Sequence, residues 1–253
     1  NLGFTKNFEN AIYKSTGDII FLSDQDDVWY DEKIETLVNK FKENPNTLLI
    51  IHDADLVNED LEKSNLSAIS QINSGFSNTD VFITGALTVF NKSLIKYFTP
   101  FPKNLLGHDG YIHFVARNLG VRMVIKNKLQ MIRRHGTNTS DWVASSLKKI
   151  NKLDVIKKQF FSKREENYND RLDQVEHVIK IITKIENENN FFSYDFLKKS
   201  LKNLDLEKKA LQKRNEFQNK NFIEKKLIAF ELLFKNQYKY FNGMWSFLRD
   251  IIR

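Results

Sequence analysis

The sequence contains no cysteine among its 253 residues. Disulfides and thiolate metal sites are therefore excluded, and any bound metal must be held by oxygen or imidazole. That composition fits a reducing cytoplasm. No run approaches the roughly eighteen consecutive apolar residues that span a bilayer, and no charged-then-apolar signal segment opens the chain. The expected location is cytoplasmic, or peripheral at the inner face of the cytoplasmic membrane. Turn-formers are scarce and unevenly placed: all three Pro and eight of the nine Gly precede residue 137. What is abundant is apolar content, 41% of the chain, enough for a sizeable core.

Charge divides the sequence in the same place. Residues 1–140 carry 15 Lys+Arg against 16 Asp+Glu, and residues 141–253 carry 24 against 16, so the net charge of +7 is entirely C-terminal. A boundary near 140–146 follows, with a first domain over 1–142 and a helical region over 143–253. In the first half, short β-branched or apolar runs alternate with amphipathic stretches, the pattern of an α/β domain with a largely parallel sheet. Strands are predicted over Asp18–Ser23, Thr47–Ile51, Val81–Phe90 and Val121–Ile125, and helices over Thr5–Ser15, Asp31–Glu43 and Asp109–Asn118. Gly17 and Gly120 stand where left-handed helix caps are expected.

In the second half Leu172, Val175, Val178, Ile179, Ile182 and Ile185 recur at helical spacing. Residues 222–253 differ in texture, interleaving Phe, Tyr, Trp and Leu with Lys225, Lys226, Lys235, Lys239, Arg249 and Arg253. Two readings stand for that segment: a helical pair packed on the first domain, or a basic amphipathic surface lying on an anionic membrane. Nucleic acid is not an expected partner, because this half also carries many acids and no reader motif.

The strongest site signal is Asp24-Gln25-Asp26-Asp27, delivered at the C-terminal end of the compact apolar run Gly17–Ser23. Ligands bind at that edge of open α/β sheets. Three carboxylates within four residues repel one another unless solvated or sharing a cation, and an all-oxygen cluster suits Mg2+ or Mn2+. The competing reading is an acidic helix N-terminus capped by Asp27 or Asp31. That explains one or two acids, but not Asp24 and Asp26 directly after a buried strand. Asp53-Ala54-Asp55 follows the next strand, where solvated acids at a sheet edge are the simpler expectation, with His52 structural or at the surface. His113 and His177 are expected on helix surfaces. Trp29 either floors a sugar site or joins the core.

These motifs, in this order, resemble the family 2 glycosyltransferases of the GT-A fold, and within them bacterial rhamnosyltransferases of surface polysaccharides. Asn1-Leu2-Gly3 with Asn7 and Ala11 is similar to the segment ahead of that family's central strand. Phe21-Leu22-Ser23-Asp24-Gln25-Asp26-Asp27-Val28-Trp29, with Lys33-Ile34 downstream, is the most specific match. Asp53-Ala54-Asp55-Leu56-Val57 is similar to a following strand, Thr84-Gly85-Ala86 to the acceptor-side turn, and His108-Asp109-Gly110 to the catalytic acidic motif. Arg133-Arg134-His135-Gly136-Thr137-Asn138-Thr139-Ser140 is similar to the arginine, histidine and asparagine stretch.

The resemblance covers roughly residues 1–140 and implies a GT-A-like, Rossmann-like mixed sheet flanked by helices, followed by the α-helical C-terminal region. It implies inverting transfer of a sugar from a nucleotide-diphosphate donor to a polysaccharide or lipid-linked acceptor, with Mn2+ or Mg2+ as cofactor. Asp24, Gln25, Asp26, Asp27, Arg133, His135 and Asn138 would then lie on the donor side, with Asp26 and His135 the metal-ligand candidates. Asp109 would be the general base, and Trp29, Thr84, Gly85 and His108 would lie on the acceptor side. Ile132 stands where a Tyr is common and Arg134 where a Gln is common. Strands binding base and ribose would precede Asn1, so the sequence is expected to be an N-terminally truncated piece.

The chemistry of Asp109 is consistent with that role, since a carboxylate within hydrogen-bond reach can take the proton of an attacking hydroxyl. An N-cap is its other reading. Two rival functions remain. Asp24-Gln25-Asp26-Asp27-Val28 also satisfies the short pattern of haloacid-dehalogenase-type phosphatases, although no Gly-Asp pair followed by a further Asp appears after it. A non-catalytic scaffold is the second.

Overall fold

The computed structural model describes residues 3–75, 84–102, 105, 107–134, 146–161, 168–186, 191–241 and 243–252. The chain divides into two compact units, Asn1–Phe101 with Leu105–Lys158, and Pro102–Asn104 with Gln159–Arg253.

The first unit is built on a single curled sheet. Its strands are β1 (Ile19–Phe21), β2 (Val28–Trp29), β3 (Leu49–Val57), β4 (Lys63–Ser67), β5 (Thr88–Asn91) and β6 (Arg122–Arg133). They are ordered β1-β5-β3-β6-β2, with β4 also paired to β3. Its helices are α1 (Gly3–Lys14), α2 (Lys33–Glu43), α3 (Ala68–Gly75), α4 (Ile95–Phe98) and α5 (His108–Asn118). Among the described residues only β3 and β6 run parallel, and the other four pairings are antiparallel. The largely parallel sheet suggested by the alternation gives way to a mixed one, as the GT-A resemblance implies. The reason is connection length: a parallel neighbour needs a long crossover, whereas β4 follows β3 after only residues 58–62. That turn is fixed by Asn58, whose side-chain oxygen accepts the N–H groups of Asp60 and Glu62 at 3.1 and 2.8 Å.

Strand β3 is the centre. All nine of its residues are buried; β6 lies along one edge, while β5 pairs with its first half and β4 with its second. It runs six residues beyond the predicted end at Ile51, and β6 runs eight beyond Ile125. Of the predicted strand Val81–Phe90, residues 88–90 form β5, and 81–83 lie outside the described residues. Helix α2 buries Lys33, Leu37 and Phe41, one residue per turn, and the last two pack with Ile50, Val89 and Leu129. Since strand side chains alternate, Phe90 points away from Val89, to the opposite face. It meets Phe98 edge-on, and the aromatic chain continues through Phe101 to Tyr111 of α5. Glu9 ties α1 in place by accepting the N–H of Phe101 at 2.5 Å. Gly120 closes α5 with φ +73°, as its position predicts; Gly17 does not adopt a left-handed conformation, because α1 already stops at Lys14.

Helix α6 (Lys152–Phe161) crosses the division between the units. The second unit is helical: α7 (Asn169–Glu186), α8 (Tyr194–Glu216), α9 (Phe222–Phe234) and α10 (Met244–Ile252). Val175, Val178, Ile182 and Ile185 of α7 are buried, the stripe read from the sequence. Ser193 caps α8, and Asn221 with Glu224 forms a capping box at the start of α9. In the core Arg214 pairs with Asp250 at 2.8 Å, Tyr238 donates to the same carboxylate at 2.8 Å, and the guanidinium lies 4.4 Å from the Phe241 ring centre. No described helix is long and apolar enough to cross a membrane.

Candidate active site

Strand β1 and strand β2 stand at opposite ends of the sheet order, and the chain between them carries the acidic cluster. Leu22 extends the edge pairing by donating its N–H to Thr88 O at 3.1 Å. The chain then leaves the sheet, so Ser23, Asp24 and Gln25 are exposed while Asp26 and Asp27 are half-buried. Asp24 reaches solvent, yet its carboxyl is held above the usual carboxylate range, first by desolvation from the surrounding protein and then by the negative charges of Asp26 and Asp109. The fold therefore brings the strand-end acids and the first turn of α5 into one electrostatic neighbourhood, although 85 positions separate Asp24 from Asp109 in sequence.

Asp109 is not the N-cap of α5. Gly107 holds that position, and Asp109 is the second residue of the helix, in its first turn. Its Oδ1 accepts the N–H of Gly110 at 2.8 Å and its Oδ2 accepts the N–H of Gly85 at 3.1 Å. Two backbone donors thus orient the carboxylate, and each oxygen retains a further lone pair for a ligand. Gly85 belongs to a short 3-10 turn, Gly85–Leu87, capped by Thr84, whose hydroxyl accepts the N–H of Ala86. A Cβ at Gly85 would lie 3.2 Å from Asp109 Cβ and 3.3 Å from His108 Nε2. Glycine is what lets the turn approach α5 this closely.

His108 is buried and lies flat against Phe8, with ring centres 3.9 Å apart and planes within 16°. Neither ring nitrogen has a hydrogen-bond partner. Burial pulls its pKa down, and the Asp109 charge partly offsets this.

Asp27 faces a different task. It accepts Gln130 Nε2 at 2.8 Å and the N–H of Arg133 at 3.3 Å, which ties the acidic turn to β6. Neither Asp27 nor Asp31 caps α2, whose N-cap is Glu32 without a side-chain bond. Burial, followed by the charge of Asp24, pushes the Asp27 carboxyl up to about 7, against the pull of the Arg133 N–H and Lys33. Gln130 is fully buried and spends its carbonyl oxygen on the Lys33 amine. That amine sits 3.8 Å above the Trp29 ring, and burial lowers its pKa to about 7. The face of Trp29 is thus occupied by Lys33, and its edge packs near Phe21.

The Lys33–Gln130 link went unread in the sequence. The available signal was Lys33 itself, at the head of the Leu37 and Phe41 stripe, where an amine on an apolar face requires a buried partner.

Other expectations change. Asp53 and Asp55 are not solvated acids at a strand end, because β3 continues past them. Asp53 accepts the N–H groups of Ala54 and Ile69, the latter in the first turn of α3, at 2.8 and 2.9 Å. Asp55 is bound by Tyr30, Lys63 and Lys128 at 2.7, 2.8 and 2.7 Å. His52 is completely buried, in line with a structural residue. His113 is not on a helix surface: it is buried, with Nε2 2.7 Å from Thr88 Oγ1, because both sides of α5 are covered by protein. His177 is half-buried. Arg133 ends β6 beside Val57, and the Arg134 N–H donates to Val57 O at 2.9 Å. His135 and Asn138, with the rest of 135–145, lie outside the described residues.

A curled mixed sheet flanked by helices, with acids at the strand end facing an acid at a helix start, is of the GT-A-like α/β class. Comparison with family models narrows this further: residues 1–98 match glycosyl transferase family 2, which supports a glycosyltransferase. The match takes in the acidic cluster and the Thr84-Gly85 turn and ends before Asp109. A comparison with curated proteins gives no match.

Among the described residues no group of three or more His, Asp or Glu is set to hold a metal by itself. The donor set nevertheless fits a hard divalent cation shared with a ligand. Such ions are commonly held by one or two carboxylates plus substrate phosphates, and the mutual repulsion at Asp24 is what a cation would relieve.

Proposed function

We propose that this chain transfers a sugar from a nucleotide-diphosphate donor to a hydroxyl acceptor, with inversion at the anomeric carbon. The observation that carries the reading is the convergence of Asp24, Asp26 and Asp109. In this scheme the acceptor hydroxyl gives its proton to an oxygen of Asp109, and its electron pair forms the new bond to the anomeric carbon. The bond to the diphosphate breaks, and that electron pair leaves on the phosphate oxygen. Gly85 and Gly110 N–H groups fix the carboxylate for this step. Asp26, with Asp24 beside it and His135 as a further candidate, would hold Mn2+ or Mg2+. Such an ion neutralises charge building on the departing diphosphate. Gln25, Arg133 and Asn138 belong to the donor side, whereas Asp27 acts by anchoring the turn. Thr84, Gly85 and His108 line the acceptor approach.

Rhamnose from a deoxythymidine-diphosphate donor is the specific sugar proposed, with a cell-surface polysaccharide or lipid-linked acceptor at the cytoplasmic face of the membrane. The sequence resemblance supports those choices. It also supports 1–142 as the catalytic domain.

The test is turnover of that donor by the chain with and without Mn2+. Activity that needs Mn2+ and falls at least about a hundredfold in Asp26→Ala, the scale of removing a transition-state electrostatic partner, is the expected result. Unchanged activity in that variant refutes the scheme, and turnover of p-nitrophenyl phosphate instead favours the phosphatase.

A further inference from the structure

Helices α9 and α10 carry apolar side chains on their outer faces as well as their inner ones. Ala229 and Leu232 of α9 and Phe247 of α10 form the buried side. On α9, Ile223, Leu227, Phe230 and Phe234 follow one another at spacings of four, three and four residues, which places them on one stripe, and they are 70%, 65%, 43% and 84% exposed. On α10, Trp245, Leu248 and Ile252 form a second exposed stripe. Phe230 packs edge-on against Phe247, on the buried side of α10, at 5.5 Å between ring centres, so the α9 stripe reaches the neighbouring helix. An exposed apolar surface of this extent marks an interaction site.

The charges around it favour one occupant. Glu231 is neutralised by Lys213 and Lys235, and Glu224 has Lys220 at 3.8 Å. Asp250 is buried against Arg214. Lys226 and Lys239 rest over the rings of Phe222 and Tyr240, and Arg249 flanks the α10 stripe one position beyond Leu248. The surface is thus an apolar strip bordered by excess positive charge. Two copies of the chain meeting on it would bring like charges together. Anionic headgroups neutralise those charges while acyl chains take up the apolar strip.

We propose that the α9–α10 face docks on an anionic lipid bilayer, lying in its interface rather than crossing it. The readout is binding and does not depend on sugar transfer, so failure of this inference leaves the transferase reading standing, and the reverse. The experiment is flotation of the full chain with vesicles of phosphatidylglycerol and phosphatidylcholine in equal parts, against phosphatidylcholine alone, at low and high salt. Binding to the mixed vesicles, at least tenfold weaker without phosphatidylglycerol and weakened again by salt, is expected. The variant Leu227→Glu/Phe234→Glu, whose positions are largely exposed, should retain its circular dichroism spectrum and lose at least tenfold in binding. Lys226→Glu should weaken binding to the mixed vesicles only. Absence of wild-type flotation at low salt overturns the proposal. So does binding that the apolar variant leaves intact, or self-association in sedimentation that this variant abolishes while vesicle binding persists.

Discussion

Replacing Gly85 by alanine tests the contact between the 84–87 turn and α5 with a single added methyl. The new Cβ would meet Asp109 Cβ at 3.2 Å and His108 Nε2 at 3.3 Å, closer than ordinary carbon contacts of about 3.5–4.0 Å. Neither neighbour yields easily: Asp109 is fixed by two N–H donors, and His108 is sandwiched against Phe8. The backbone at Gly85 is not left-handed, so the effect is steric rather than conformational. Overpacking of this kind costs about 1–3 kcal/mol. Relief by separating the turn from α5 lengthens the Gly85–Asp109 hydrogen bond, and a bond to a charged group contributes about 1.5–3 kcal/mol. Urea unfolding should therefore register a loss of about 1–3 kcal/mol. The catalytic rate should fall roughly tenfold, less than the hundredfold that a 1 Å misplacement can cost. A variant with unchanged midpoint and unchanged turnover would show that the turn does not position Asp109.

Gln130→Leu removes the bridge between the Lys33 amine and Asp27 and leaves two ionisable groups short of partners; a loss of about 2–5 kcal/mol is expected in denaturant unfolding, and a loss below the error of the measurement contradicts the network. The buried histidines set a pH dependence. Burial lowers His52 to about 4 and His113 to about 3, so between these values and the unfolded pKa near 6.5 the unfolded chain binds protons that the folded one does not. Each histidine should then lower stability as pH drops below about 6.5, by up to about 1.4 kcal/mol per pH unit, while Asp27, raised to about 7, acts in the opposite direction over the same range and offsets about one of them. His113→Gln should flatten that slope when urea midpoints at pH 7 and pH 5 are compared, and an identical slope counts against the burial argument.

Much of the first unit was legible because its signals are local. The apolar run at Ile19–Phe21, the stripe of α2 and the Gly120 cap each follow from neighbours in sequence. Strand β3 was cut short because His52, Asp53 and Asp55 look like the end of a buried segment, whereas the folded protein satisfies the two acids by distant partners: Ile69, Lys63 and Lys128. Sequence spacing holds no record of those contacts. The same holds for the sheet's direction, since β2 and β4 are too short to register against the apolar background. At the site, the position of Asp24 to Asp27 after a strand was readable. That Asp27 turns to β6 while Asp24 faces Asp109 was not, because both outcomes are compatible with one acidic run and only pairing with Gln130 and Arg133 separates them.

The central claim is that Asp109 takes the acceptor's proton at a donor site formed by Asp24 and Asp26. It is tested most directly by Asp109→Asn, whose amide oxygen can still accept one of the two N–H groups. Donor affinity, measured by calorimetry with Mn2+, should stay within about threefold of wild type while the transfer rate drops at least about a hundredfold, the low end for general-base catalysis. Transfer at the wild-type rate, or loss of donor binding with no separate effect on the rate, would contradict it.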